Sequence, residues 1–243
     1  MSLNVEIFAD LSPLIDRALE LTLGAIQAAI AQRGRFTIAL AGGNTPQPLY
    51  EQLATQDLPW QDIFIFWGDE RYVPMSDPQS NAGMAAKAWL NQVNIPPENI
   101  FPMPTQAPDP QEAAQTYAQQ LQAFFRPDAP EWPRFDLVLL GLGSDGHTAS
   151  LFPHTAALQV CDRTVTVGSK EGQPRLTLTV PILNEARCIL FLVTGANKQE
   201  ALTQIFAEQS DATQFPARLI QPRDGQLFWL LDTAAGEPLK NYR

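Results

Sequence analysis

The sequence predicts a doubly wound α/β fold, a mostly parallel sheet with helices on both faces and a small antiparallel edge or insertion. Three observations carry that expectation. Apolar runs of strand length recur between segments of helical period. Several of these runs hardly alternate, as strands covered on both faces require. Short glycine-containing polar segments follow the runs, where open α/β sheets hold their ligands.

In chain order, the spacing predicts strands over residues 37–41, 63–67, 135–141, 188–194 and 227–231. Helical period predicts helices over 14–32, 46–55, 111–125 and 197–207. Residues 164–167 and 176–180 alternate threonine with apolar side chains, which suits antiparallel strands at an edge or in a small insertion. Residues 94–110 hold six of the 21 prolines and read as an irregular excursion, with a second proline-rich connection over 126–133. Neither resembles a flexible Gly/Ser linker, and no repeat or charge block divides the chain. One domain over 1–243 is therefore expected.

Composition narrows the function. The 243 residues are 45% hydrophobic and 17% charged, enough to bury a core without disulfides or metals. Sixteen Lys and Arg against 26 Asp and Glu give a formal net charge of -10. That sign disfavours nucleic acid and anionic membrane surfaces as partners. A small anionic substrate stays compatible, because a few cations gathered in one cleft outweigh a diffuse, screened surface charge. The sequence shows no sign of an obligate protein partner. Cys161 and Cys188 lack metal-ligand spacing, and only His147 and His154 accompany them, so two buried thiols in a reducing compartment are expected. The first residues carry no signal-peptide pattern, and no apolar run nears the roughly 20 residues of a membrane span. A cytoplasmic, soluble protein is expected.

Four corners bear chemistry. Gly42, Gly43, Asn44 and Thr45 join a strand to a helix; the glycines admit a ligand to the backbone, Thr45 is placed to cap and Pro46 to begin the helix. Such a helix start suits a phosphate. Asp69, Glu70 and Arg71 follow the 63–67 strand, where carboxylates can bond sugar hydroxyls and a guanidinium can hold a phosphate or polarise a carbonyl, though such a run is also compatible with a solvated loop. Gly141 to Gly146 formally matches a dinucleotide fingerprint, but lies mid-chain with Pro153 interrupting the following helix, and Leu142 spoils a nucleophile elbow around Ser144. His147, beyond that turn with Asp145 two residues before it, has the imidazole that general-base work at neutral pH needs. His154 reads as structural. Lys198 sits in the first turn of a helix, where the macrodipole disfavours a cation unless an anion binds there. Arg175 is a further candidate.

Jointly, residues 41–46, 67–74, Asn81 with its following helix, 141–153, Arg175 with 176–179, and 194–198 resemble the 6-phosphogluconolactonase branch of the glucosamine-6-phosphate isomerase/6-phosphogluconolactonase family. The resemblance runs through nearly the whole chain. It implies hydrolysis of 6-phosphoglucono-δ-lactone to 6-phosphogluconate with neither metal nor organic cofactor. By the same resemblance His147 matches the catalytic histidine, with Asp145 and Arg71 beside it. Gly42, Gly43, Asn44, Thr45, Asp69, Arg175 and Lys198 match positions lining the sugar-phosphate cleft. Which cation holds phosphate and which polarises the carbonyl is left open. Two alternatives are carried. Amino-sugar phosphate deamination resembles the family's other branch, yet a glutamate expected five residues after the histidine is replaced by Phe152. A sugar-phosphate sensor would need a DNA-binding module, and no basic helix-turn-helix is visible.

Overall fold

The computed structural model describes residues 2–126 and 132–240. Its elements are β1 (Ser2–Phe8), α1 (Leu11–Arg33), β2 (Phe36–Leu40), α2 (Gln47–Ala54), β3 (Ile63–Trp67), β4 (Asp69–Arg71), α3 (Asn81–Ala88) and α4 (Pro110–Phe125). There follow β5 (Leu137–Leu140), β6 (Val165–Lys170), β7 (Gln173–Leu178), α5 (Val180–Asn184), β8 (Cys188–Val193), α6 (Gln199–Phe206), β9 (Gln226–Asp232) and α7 (Thr233–Gly236). Six strands form one sheet in the order β1-β9-β8-β5-β2-β3, parallel throughout. A second, antiparallel sheet has the order β4-β7-β6.

Local chemistry explains the helices that frame the sheet. In α1 the buried positions Leu14, Ile15, Ala18, Thr22, Ile26 and Ala29 form one stripe. Asp10 caps its start by accepting from the Ser12 amide, and Gly34 closes it at φ 70 with its amide on the Ile30 carbonyl. Asp109 and Pro110 open α4 in the same manner, cap first and proline at the first helical position. Every residue of β2, β5 and β8 is buried, which is why β5 and β8 are continuous apolar runs and β2 is broken only by Thr37, whose hydroxyl bonds Asp136.

The structure departs from the expected elements where the periodicity was weak. β1 was not foreseen: Leu3, Val5 and Ile7 alternate with polar residues because the strand lies at the sheet edge and pairs only with β9. Residues 69–71, read as a corner, form β4 instead. Gly68 connects the two sheets, its amide donating to the Leu40 carbonyl of the large sheet and its carbonyl accepting from Leu178 of the small one. Thr45 does not cap α2; its hydroxyl pairs with that of Thr194 at 3.2 Å, and Pro46 precedes the first helical residue. Cys161 is exposed, and only Cys188 is a buried thiol. The 126–133 connection falls largely outside the described residues.

β2 leads to β3 on one side, whereas β5 returns to the other side of β2. The strand order therefore reverses between β2 and β5, and a crevice opens beyond their carboxyl ends.

Candidate active site

That crevice is a cavity of about 260 Å³. Gly42 after β2, Asp69 and Arg71 beyond β3, His147 after β5, Arg175 on β7 and Lys198 after β8 all line it. The histidine and the three expected cations thus open onto one mouth. Gly43, Asn44 and Thr45 stand on the turn that carries Gly42 but outside the lining, and Asp145 reaches the cavity through His147. His154 lies elsewhere, its amide on the Thr213 carbonyl.

Each corner is held by contacts that a sequence does not display. The buried Tyr50 hydroxyl accepts from the Ala41 amide at 3.1 Å and donates to the Ala41 carbonyl at 2.7 Å, pinning the chain just before Gly42. A Cβ on Gly42 would stand 1.8 Å from Asn81 Oδ1, so the glycine is what lets α3 begin against the turn. The 141–147 loop is closed by the Gly143 amide on the His147 carbonyl (2.8 Å) and the Gly146 amide on the Gly143 carbonyl (3.1 Å), with Gly146 at φ 79. A Cβ on Gly143 would lie 2.0 Å from His147 Nδ1. The absence of a side chain there is the space the imidazole occupies.

His147 Nδ1 lies 2.5 Å from Asp145 Oδ1, which also accepts from the His147 amide at 3.2 Å. The hydrogen bond to His147 draws the Asp145 carboxyl down to about 2, so it is an acceptor that fixes Nδ1 as the protonated nitrogen and leaves Nε2 for a ligand. Phe152 packs on the imidazole with ring centroids 4.6 Å apart. The same ring carries the Arg175 guanidinium at 5.4 Å and the Lys170 ammonium at 5.7 Å. In the sequence Phe152 reads only as a missing carboxylate; Lys170 leaves no signal at all.

The cations are crowded at a cost. Arg71 and Arg175 face each other directly in the β4–β7 register, a like-charge pair that destabilises a bare sheet. Burial and then Arg71 weigh against the charge on Arg175. Burial also lowers the Lys198 ammonium, Asp145 acting against that and Lys170 with it. Arg71 Nη1 is anchored on the Gln79 carbonyl at 2.6 Å. A dianionic ligand would relieve all three charges together.

The two carboxylates after β3 are buried and not part of a solvated loop. Asp69 Oδ2 accepts from the Ser150 hydroxyl at 2.6 Å, while its carbonyl accepts from Asn81 Nδ2 at 2.9 Å. Glu70 accepts from the amides of Arg71, Asn81 and Ala82 and from the Ser80 hydroxyl. Burial pushes its carboxyl up against the pull of those amides. Glu70 is thus the anchor of the α3 start, a role its neighbours in sequence do not announce.

A doubly wound α/β scaffold with an aspartate-held histidine facing a cluster of cations defines an enzyme that works on an anionic substrate. The model of the family of glucosamine-6-phosphate isomerases/6-phosphogluconolactonase matches residues 9–229, and the chain belongs to that family. It is 58% identical over 240 residues to the 6-phosphogluconolactonase of Synechocystis sp., spanning 99% of this chain and 100% of that one. It is 38% identical to the 6-phosphogluconolactonase of Mycobacterium tuberculosis over 98% of this chain and 99% of the relative. The solved 6-phosphogluconolactonase structure from Trypanosoma brucei superposes with a TM-score of 0.87 at 31% identity, covering 98% and 99% of the two chains.

Proposed function

We propose that the protein hydrolyses 6-phosphoglucono-δ-lactone to 6-phosphogluconate, as a hydrolase of the oxidative pentose phosphate pathway. The observation that carries the mechanism is the single cavity shared by the His147–Asp145 pair and by Arg71, Arg175 and Lys198. A δ-lactone is an activated ester, so a positioned water suffices and no covalent nucleophile is needed. His147 Nε2 takes the proton of that water as it attacks C1, while Asp145 holds the ring and stabilises the imidazolium. Imidazolium then returns the proton to the departing ring oxygen.

Negative charge gathers on the carbonyl oxygen as the bond forms. The Gly143 and Gly146 amides are spent inside their own loop, and Arg71, which lines the cavity, is the side-chain donor for that oxygen. Arg175 and Lys198 hold the phosphate and fix the register of the sugar, with Asp69 as a hydroxyl acceptor and the Gly42–Thr45 turn at the rim. The compartment proposed is the cytoplasm, in keeping with two unpaired thiols; among the described residues no helix is long and apolar enough to cross a membrane.

The test is turnover of the lactone against its spontaneous hydrolysis. Wild type accelerates it, and His147→Ala lowers kcat at least about a hundredfold with little change in KM, the scale of lost general-base help. Lys198→Ala raises KM for the phosphorylated lactone. Equal activity on unphosphorylated glucono-δ-lactone contradicts phosphate recognition, and near-normal turnover by His147→Ala removes that residue from the reaction.

A further inference from the structure

A second cavity, of about 650 Å³, lies at the opposite end of the large sheet. Its polar lining comes from residues at or just before the starts of the same central strands: Arg33, Arg35 and Thr37 at β2, Arg134 and Asp136 before β5, Arg187 before β8, Arg223 and Asp224 before β9. Strands of four to seven residues, rising about 3.3 Å each, separate it from the crevice at their carboxyl ends by roughly 15 Å. No substrate-sized sugar phosphate in the active site reaches it.

With Arg126, this cavity gathers six of the chain's twelve arginines. The acidic lining answers only part of them. Asp136 pairs with Arg33 (2.8 Å) and lies 3.4 Å from Arg187, and its other oxygen is already committed to the amide and hydroxyl of Thr37. Asp224 pairs with Arg134, and Glu185 with Arg223. Among the described residues Arg35 and Arg126 have no carboxylate partner; Arg35 lies 4.6 Å over the Phe124 ring. The buried Nε atoms of Arg134 and Arg187 lack hydrogen-bond acceptors there too. Among the described residues, six guanidiniums stand against three carboxylates, a surplus of three positive charges in a chain whose formal net charge is -10. Burial, then Arg134 and Arg33, weigh against the charge on Arg187. Such crowding is unfavourable in an empty cleft and is what a polyanion relieves. Guanidiniums, with their planar forks, are the groups suited to phosphate oxygens.

We propose that this cavity is a second anion site, remote from the reacting centre, that takes a small molecule bearing a di- or triphosphate. Trp132 and Phe125 on its wall give an aromatic surface that a nucleobase can use and free pyrophosphate cannot. Isothermal titration calorimetry with metal-free pyrophosphate and with ATP separates these sources. Wild type is expected to bind with a Kd below about 1 mM, more tightly at low salt. Tighter binding of ATP assigns a contribution to the base, and equal binding assigns recognition to the phosphates alone; both support the site.

The double variant Arg35→Gln/Arg126→Gln is expected to weaken binding at least about tenfold while leaving lactone kcat and KM unchanged, and the corresponding double lysine variant to retain most of the affinity. Lys198→Ala is expected to bind the probes as wild type does. No heat at about 1 mM probe, undiminished binding by the double glutamine variant, or loss in Lys198→Ala instead overturns the proposal. Binding is read directly, so the outcome does not depend on the lactone chemistry.

Discussion

At the scale of single residues the site depends on a missing side chain as much as on those present. His147 stands where a Cβ on residue 143 would be, 2.0 Å from Nδ1, and the nearest alternatives for a displaced ring are Phe152 on one side and Asp145 on the other. Gly143→Ala is therefore expected to move the imidazole and lower kcat at least about tenfold while phosphate-dependent KM changes little, because the cations sit on other elements. Steady-state kinetics checks it, and unchanged kcat would show that the loop shifts without cost. Asp145 provides a pH test. Its folded carboxyl is drawn from 3.8 down to about 2 by the bond to His147, so the stability it contributes is full above pH 3.8 and is lost as pH falls through about 2. The advantage of wild type over Asp145→Asn in urea midpoint should be present at pH 5 and shrink by pH 3. An advantage that grows on acidification would reverse the sign of the linkage. Asp145 and His147 were legible as candidates because they follow an apolar strand through a glycine turn, where open α/β sheets hold their ligands. Phe152 and Lys170 were not, since their contribution arises from a ring packed against residues distant in the chain.

At the scale of elements, the start of α3 shows how a charged residue can be structural without looking so. Glu70 accepts three backbone amides and one hydroxyl, two of the amides belonging to the first turn of α3. Glu70→Ala strands those buried donors, and at about 1 kcal/mol for each lost bond the protein should lose roughly 2–4 kcal/mol of stability. Urea denaturation measures this; a change under about 0.5 kcal/mol would mean that water replaces the carboxylate. The strands of the large sheet interior were readable because burial on both faces removes nearly all polar residues: β5 and β8 carry none, and β2 only Thr37, whose hydroxyl is satisfied by Asp136. β1 and β4 were hidden by the converse effect. β1 is an edge strand whose alternation reads as a polar terminus, and β4 is three charged residues whose strand character comes only from pairing with β7. The Thr45 cap failed for a related reason, since a hydroxyl 3.2 Å away on Thr194 competes with the helix amides.

At the scale of the molecule, the two sheets share the work of building one mouth: Arg71 and Arg175 come from the small sheet, His147 and Lys198 from loops of the large one. Relative motion of the sheets would separate the cations from the histidine, so the site needs them to behave as one body. One covalent and hydrogen-bonded junction is Gly68, tied to Leu40 on one side and Leu178 on the other. Leu176 and Leu178 of β7 and Val165 of β6 belong to the same apolar cluster as Ile38, Leu139 and Ile189 of the large sheet. Residues 1–243 are accordingly proposed to be one folding unit. Urea unfolding followed by tryptophan fluorescence, which reports the buried Trp67, Trp89 and Trp229, and by far-ultraviolet circular dichroism should give coincident transitions. Native-state hydrogen exchange sharpens the test, because the Leu178 amide bonded to Gly68 should open with the same free energy as amides of β5 and β8. Exchange of the β6–β7 amides at a free energy lower by more than about 2 kcal/mol would instead make the small sheet a separately opening unit, and Arg71 and Arg175, two of the three cations, would then be mobile relative to His147.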